Sequence, residues 1–205
     1  YAEQLKLKDQ WTKDCLERIG KIEVEDFEPI VPAENQRFYR NKMEYTFSNK
    51  RWLYEGEVLD EMPHTDALGF HAPGRFDKVV DIDKCWLQDH EANNIRNAIR
   101  QYSRENDLPF YDLKTHEGLL RNLMLRNNIA GQWMISIFFT AWNAKTQALM
   151  QFVRDEFEPH SLSYAVNTKK NDSIFDLDIV HYSGEDHLLD HLQGLSFKIH
   201  PKSFF

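Results

Sequence analysis

Residues 38–48 constrain the fold more than any other stretch of this 205-residue chain. Tyr39, Met43, Tyr45 and Phe47 alternate there with Arg40, Lys42, Glu44 and Thr46, a period of two that gives a strand two chemically opposite faces. A strand with one wet face and one apolar face belongs to a sheet packed on one side. Residues 67–72 and 78–82 read as two more strands, joined through Pro73-Gly74-Arg75, a turn signal suited to a hairpin. Residues 119–126 and 133–142 form a second pair across Asn127-Asn128 and Gly131, and short strands follow at 162–167, 179–182, 188–192 and 195–199.

Helical spacing appears in three places. Ile95, Ala98, Ile99 and Tyr102 share one face over residues 88–105, and Ala148, Leu149, Phe152 and Val153 do so over 146–157. Over residues 2–19, Leu5, Trp11, Cys15, Leu16 and Ile19 recur near helical spacing with Gly20 as a stop, so Cys15 reads as a small buried thiol. Residues 22–35, acidic and carrying Pro29 and Pro32, read as an extended connector. Because the strands adjoin as hairpins instead of alternating with helices, the expected class is α+β. It is an antiparallel β-sheet with helices packed on one face, preceded by an amphipathic N-terminal helix.

A formal charge of −8 argues against gripping nucleic acid through bulk positive potential. The acids, however, concentrate in residues 23–34, 55–66 and 172–190, while cations gather in 37–51 and 121–126, which leaves a local basic strip. Only two cysteines, Cys15 and Cys85, lie far apart in the sequence, so a disulfide framework is not indicated and a reducing, cytoplasmic setting is expected. The most apolar run, residues 133–142, is only of strand length, and no membrane association is expected. A start at Tyr1 and an apolar Phe204-Phe205 end read as a piece cut from something longer.

Several chemistries lack their signatures. There is no glycine-rich dinucleotide fingerprint, no phosphate loop and no Gly-x-Ser-x-Gly elbow. His187 and His191 stand four apart beside Asp186 and Asp190, but the segment lacks the intervening Glu of a metalloprotease and is not read as a metal site. Cys85 closes Asp81-Ile82-Asp83-Lys84-Cys85-Trp86 just beyond a strand, a position that suits a fixed ligand and equally a buried structural thiol. Arg40 and Lys42, on one face of their strand, are placed to meet phosphates while the aromatics turn to the core.

Three motifs taken in order point to a family. Tyr39-Arg40-Asn41-Lys42-Met43-Glu44-Tyr45-Thr46-Phe47 comes first, then Gly69-Phe70-His71 through Val80-Asp81-Ile82-Asp83-Lys84-Cys85, then Pro201-Lys202-Ser203-Phe204-Phe205. In order and spacing they resemble the bacterial RNA (uracil-5-)-methyltransferases of the 23S ribosomal RNA type. The opening Tyr1-Ala2-Glu3-Gln4-Leu5-Lys6-Leu7-Lys8 is similar to the stretch that follows a Cys-Gly-Gly-Cys segment in that family.

The resemblance implies the central, substrate-RNA-binding part of a larger enzyme that methylates uracil carbon-5 using S-adenosyl-L-methionine. Residues 1–20 would be a helix that packs on the methyltransferase domain, 21–36 a linker, 37–200 the central α+β domain, and 201–205 the start of the cofactor-binding domain. Cys85 matches the fourth ligand of a 4Fe-4S cluster whose other three cysteines lie upstream, so no cluster is expected on this piece alone. The nucleophile and base would lie beyond Phe205, so no catalytic residue is expected in the chain. Arg40, Asn41 and Lys42 are the implied RNA contacts, with Arg121 and Asn122 as further ones. The implied partner is ribosomal RNA, with tRNA also open, and the unpartnered N-terminal helix could pair two copies. The competing expectations are a non-catalytic RNA- or protein-binding module and a small histidine-using hydrolase.

Overall fold

The computed structural model describes residues 1–204. Phe205, which closes the third motif, lies outside the described residues. The chain divides into two compact units, the first Tyr1–Gln36 and the second beginning at Arg37.

In the first unit, helix α1 (Ala2–Asp14) continues into a single π turn, Cys15–Ile19, so the helix expected over 2–19 ends in a wider coil. The Gly20 N–H donates to the Cys15 carbonyl five residues back, at 2.9 Å. Helix α1 buries none of its residues, and Trp11 is 72% exposed. Cys15 is likewise exposed, which corrects the expectation of a buried thiol: that expectation assumed a surface for the apolar stripe to pack against. The acidic connector lacks regular structure but is tied to its helix, because the Ala33 N–H donates to the Tyr1 hydroxyl at 2.8 Å and the Lys13 ammonium lies 4.5 Å from the Phe27 ring centroid.

The second unit begins with three strands, β1 (Lys42–Ser48), β2 (Ala67–Ala72) and β3 (Arg75–Asp81), followed by α2 (His90–Glu105). Then come β4 (Leu120–Asn127), β5 (Trp133–Phe139), α3 (Ala144–Phe157), β6 (Ser161–Val166) and β7 (Val180–Gly184). These seven strands form one sheet in the order β3-β2-β1-β4-β5-β6-β7, while β8 (Leu188–Leu192) and β9 (Leu195–Ile199) make a separate hairpin. The expected Pro73-Gly74 turn is present, with Gly74 at φ 72°, where a side chain would be strained. Gly69 of β2 has a different reason to be glycine, since a Cβ there would lie 2.0 Å from the Val80 carbonyl oxygen.

One strand pairing departs from the hairpin expectation. β5 and β6 run parallel, because α3 returns the chain to the starting end of the sheet before β6 begins. All other neighbours are antiparallel. Helix α3 starts on a capping box in which Asn143 and Thr146 satisfy each other's backbone N–H groups, and α2 starts on Asp89, whose carboxylate accepts from the Glu91 N–H at 3.0 Å.

The main core lies where both helices meet one face of the sheet. Tyr45 and Phe47 from β1, Leu123 and Leu125 from β4 and Ile135 and Ile137 from β5 pack there with Ile95 and Ile99 of α2 and Leu149 and Val153 of α3. The helices join through Tyr102 and Phe152, stacked at 4.3 Å. A smaller cluster of Met124, Phe138 and Ala165 on the other face is covered by Leu177, Ile174 and Ile179, so that face is only partly wet.

Candidate nucleic-acid interface around Cys85

Cys85 stands in the short passage between β3 and α2, and ion pairs to α2 fix the β3 end of that passage. Arg100 of α2 reaches Asp81 and Asp83 at 2.6 Å each, while Arg104 reaches Asp66 at 2.6 Å and Asp81 at 3.1 Å. Burial alone would raise the Asp81 carboxyl, but the Leu68 N–H and the two guanidiniums outweigh it and hold the group below its ordinary range. Asn93 then grips Cys85 itself. Its Oδ1 accepts the Cys85 N–H at 2.6 Å, and its Nδ2 donates to the Cys85 carbonyl at 3.2 Å. The thiol is left buried, at 5% exposure.

Two large polar side chains are buried beside this thiol. Arg96 is wholly enclosed, and only its Nη2 is used, donating to the Asp83 carbonyl at 2.8 Å and to Asn97 Oδ1 at 3.2 Å. Its Nε and Nη1 and the buried Tyr45 hydroxyl make no other hydrogen bond, and the guanidinium and the phenol interact with each other. The guanidinium lies 5.1 Å from the Tyr45 ring centroid. The Arg96 guanidinium and Cys85 both act on the Tyr45 phenol. Burial pushes the phenol up to about 12 and, with no carboxylate in contact, lowers the Arg96 guanidinium.

The surface around Cys85 is aromatic and cationic. Phe38 takes a left-handed φ of 57°, which turns the chain away before β1 and explains why the strand starts at Lys42 instead of residue 38. The backbone there pairs with the Cys85 passage instead: the Phe38 N–H donates to the Trp86 carbonyl and the Arg40 N–H to the Leu87 carbonyl, both at 2.8 Å. Phe38 packs 4.3 Å from the His90 ring. Trp86 lies exposed with the Arg37 guanidinium 4.5 Å and the Lys84 ammonium 4.0 Å from its centroid. Tyr39, expected inside, is 59% exposed because of the same turn.

The five residues singled out as RNA contacts do not form one patch. Arg40, Asn41 and Lys42 are contiguous at this rim, with Arg40 and Asn41 exposed and Lys42 paired to Glu44 at 2.6 Å. Asn122 lies opposite Thr46, four residues further along β1 and about 13 Å from Lys42 at strand rise. Arg121 is buried and holds the loop after β6: it donates to the carbonyls of Asn167 at 3.1 Å, Lys169, and Asn171 at 3.0 Å, pairs with Asp172 at 2.7 Å, and lies over Tyr111. Arg126 is also buried, donating to the Ser203 carbonyl, and burial lowers its guanidinium to about 10. The two β4 arginines are therefore internal, whereas Arg37, Arg40 and Lys84, near Cys85, are exposed. Lys84, Trp86 and Arg96 join the site unforeseen, with Lys84-Cys85-Trp86 as their cue in the sequence, while Arg37 opens the basic strip read over residues 37–51.

His191 lies in β8 and His187 in the bend just before it, not on a helix, and their Nδ1 atoms face different partners, Asp186 at 2.5 Å and Ser196 at 2.9 Å. Among the described residues no group of three or more His, Cys, Asp or Glu is placed to hold a metal ion, and no helix is long and apolar enough to cross a membrane.

The chain is similar along its whole length to proteins named as uncharacterized RNA methyltransferases. That of Bacteroides thetaiotaomicron is 45% identical over 212 residues, which cover 100% of this chain and 47% of the relative. Those of Porphyromonas gingivalis and Chlorobaculum tepidum are 43% and 37% identical, again over 100% of this chain and over 46% and 44% of themselves. The chain thus spans a little under half the length of these relatives. No protein-family model matches it. Among solved structures, the Pyrococcus abyssi tRNA (uracil-54, C5)-methyltransferase in complex with S-adenosyl-L-homocysteine superposes with a TM-score of 0.72 at 24% identity, covering 100% of this chain and 44% of that one; the likeness is one of fold.

Proposed function

We propose that this chain is the central, RNA-engaging part of an RNA methyltransferase that transfers a methyl group from S-adenosyl-L-methionine to carbon-5 of a uridine in 23S ribosomal RNA. The observation that carries the RNA-binding role is the rim of Arg37, Tyr39, Arg40, Lys84 and Trp86, an exposed cationic and aromatic surface on an otherwise acidic protein. Such a surface suits unstacked bases and phosphates, and a base must leave its stack before its ring can be methylated. The whole-length similarity to proteins named RNA methyltransferases supports the reaction class. A tRNA substrate is the nearest alternative, in line with the name of the structural neighbour.

In this proposal Arg40 and Lys42 meet phosphate, Asn41 meets phosphate or a base, and Asn122 contributes further along the groove. Arg121 acts through the loop it holds. Nucleophile, base and cofactor site belong to polypeptide outside this chain, which works in the cytoplasm. Helix α1, with no buried residue, docks on that further polypeptide or on a second copy of the chain.

Cys85 is one thiolate of a 4Fe-4S cluster in the same proposal. Its enclosed setting, with the backbone held on both sides by Asn93, fits a fixed sulfur ligand. Two cysteines are fewer than the four required, so the other ligands come from elsewhere. The test of the RNA reading is the double reversal Arg40→Glu with Lys42→Glu in the complete protein. It should weaken RNA binding and flatten the dependence of affinity on salt, because each lost phosphate contact removes about one unit of counterion slope. RNA affinity and slope equal to wild type would rule the assignment out.

A further inference from the structure

The β8–β9 hairpin carries more apolar surface than its two strands can cover. Gln193 and Gly194 turn it at φ 49° and 79°, the left-handed pair that a two-residue hairpin loop needs. Pairing of Asp190 with Phe197 and of Leu192 with Leu195 puts those four side chains on one face. That face is tied to the body at one end. Leu188 is buried there, the Asp190 carboxylate accepts from the Ile129 N–H at 3.1 Å, and Asn128 donates to the Leu189 carbonyl at 2.9 Å. Towards the turn, Phe197, Leu192 and Leu195 are 44%, 59% and 63% exposed. Between the hairpin and Asn41, Ile129 and Ser203 lies a half-open groove of about 520 Å³, most of whose accessible lining is apolar. An apolar concavity with a few polar groups in its wall is the usual make-up of a ligand site.

One of those polar groups is unengaged and belongs to the basic strip. The Asn41 carboxamide makes no hydrogen bond among the described residues, while its backbone is fixed by the Asn127 N–H, which donates to the Asn41 carbonyl at 3.0 Å. We propose that this groove is a subsite for one unstacked nucleobase of the RNA, with the Phe197 ring as stacking platform and the Asn41 carboxamide meeting the base edge. This rests on the RNA-engaging role given above and adds a base contact to its phosphate contacts. A strand whose phosphates lie along Arg40 and Lys42 passes Asn41 between them, so a base turned inward there enters the groove. The amide offers both a donor and an acceptor, and an aromatic platform accepts any base, so the subsite grips a base without selecting it. Phosphate itself suits the groove poorly, because Asp190 stands in its wall and Lys198 lies 3.7 Å from Asp186.

The experiment uses the complete protein and two probes, a single-stranded RNA oligonucleotide of mixed sequence and the same sugar–phosphate chain without bases. Phe197→Ala should weaken binding of the oligonucleotide about tenfold, within the usual range for one stacked base. The salt slope and the affinity for the abasic chain should stay at wild-type values. Asn41→Ala should act in the same direction by less. Phe197→Cys should react with a maleimide in the free protein and be protected when the oligonucleotide is added. Wild-type affinity in both Ala variants, alongside lost affinity and slope in the Arg40→Glu, Lys42→Glu protein, would overturn the subsite and leave the RNA-engaging role intact. A thiol at position 197 closed to maleimide in the free protein would mean that further polypeptide fills the groove, which overturns the subsite as well. If Phe197→Ala does not fold, wild-type affinity in Asn41→Ala is enough to overturn it. Wild-type protein that binds neither probe would overturn the subsite and the RNA-engaging role together.

Discussion

Asn93 holds Cys85 by both sides of one residue, accepting its N–H at 2.6 Å and donating to its carbonyl at 3.2 Å. An amide is the one side chain of that size that donates and accepts in a single plane. Asn93→Asp keeps the acceptor and loses the donor, and Asn93→Ala loses both while leaving buried backbone groups unpaired. Each should cost about 3 kcal/mol of stability, the Asp variant because it also sets a buried carboxylate oxygen against the Cys85 carbonyl. Urea denaturation of the three proteins checks both losses, and midpoints equal to that of wild type would mean that Asn93 is no clamp.

Acid should loosen the same region. Asp81 is held below the ordinary carboxylate range, so its stabilising effect is complete above the unfolded-state value near 4 and disappears as pH falls through the lower folded-state value. Asp112, held well below that range by Lys50, the Lys114 and Thr115 N–H groups and Asn49, behaves alike. Asp81→Asn should cost about 3–5 kcal/mol at neutral pH, as for other broken buried pairs, and the difference from wild type should shrink towards pH 2. A difference that stays constant from pH 7 to pH 2 would contradict the assignment.

Arg121 should behave as a clamp. Replacing it with Met removes its bonds to the 167–172 loop, at an expected cost of about 3 kcal/mol, and leaves three carbonyls to water. Amide hydrogen exchange should accelerate at residues 167–173 before it does in β1. Protection unchanged in that loop would show that something else holds it.

Trp86 offers a neutral probe of the rim. Trp86→Ala in the complete protein should weaken binding of single-stranded RNA by about 1–3 kcal/mol, the usual value of one stacked base, with the salt slope unchanged because the ring carries no charge. The reversal of Arg40 and Lys42 should change the slope. Filter binding across a salt series separates the two effects, and a slope altered by Trp86→Ala would mean that the ring serves mainly to place Arg37 and Lys84.

Alternation in residues 42–48 and the two helical stripes at Ile95 and Leu149 were enough to give the sheet, both core helices and the face they cover, because those signals are local and periodic. The parallel β5–β6 pair was not legible, since a crossover is a property of how α3 returns the chain and not of any strand's own pattern. Sequence alone likewise could not tell an exposed arginine from a buried one. Arg121 and Arg126 looked like a basic strip, but a β-bulge between Leu120 and Asn122 and the C-terminal segments folded over β4 turned them into internal fasteners. Phe38 hid the rim for a similar reason, because its left-handed backbone ends an alternation that the residue types continue.

Methyl transfer itself is the measurement closest to the proposed activity. The complete protein, given S-adenosyl-L-methionine labelled on its methyl group and unmodified 23S ribosomal RNA, should deposit label on a single uridine, recovered as 5-methyluridine after nuclease digestion. Label on a different base or a different uridine atom, or no transfer to 23S ribosomal RNA by protein that is folded and loaded with its cofactors, would refute it.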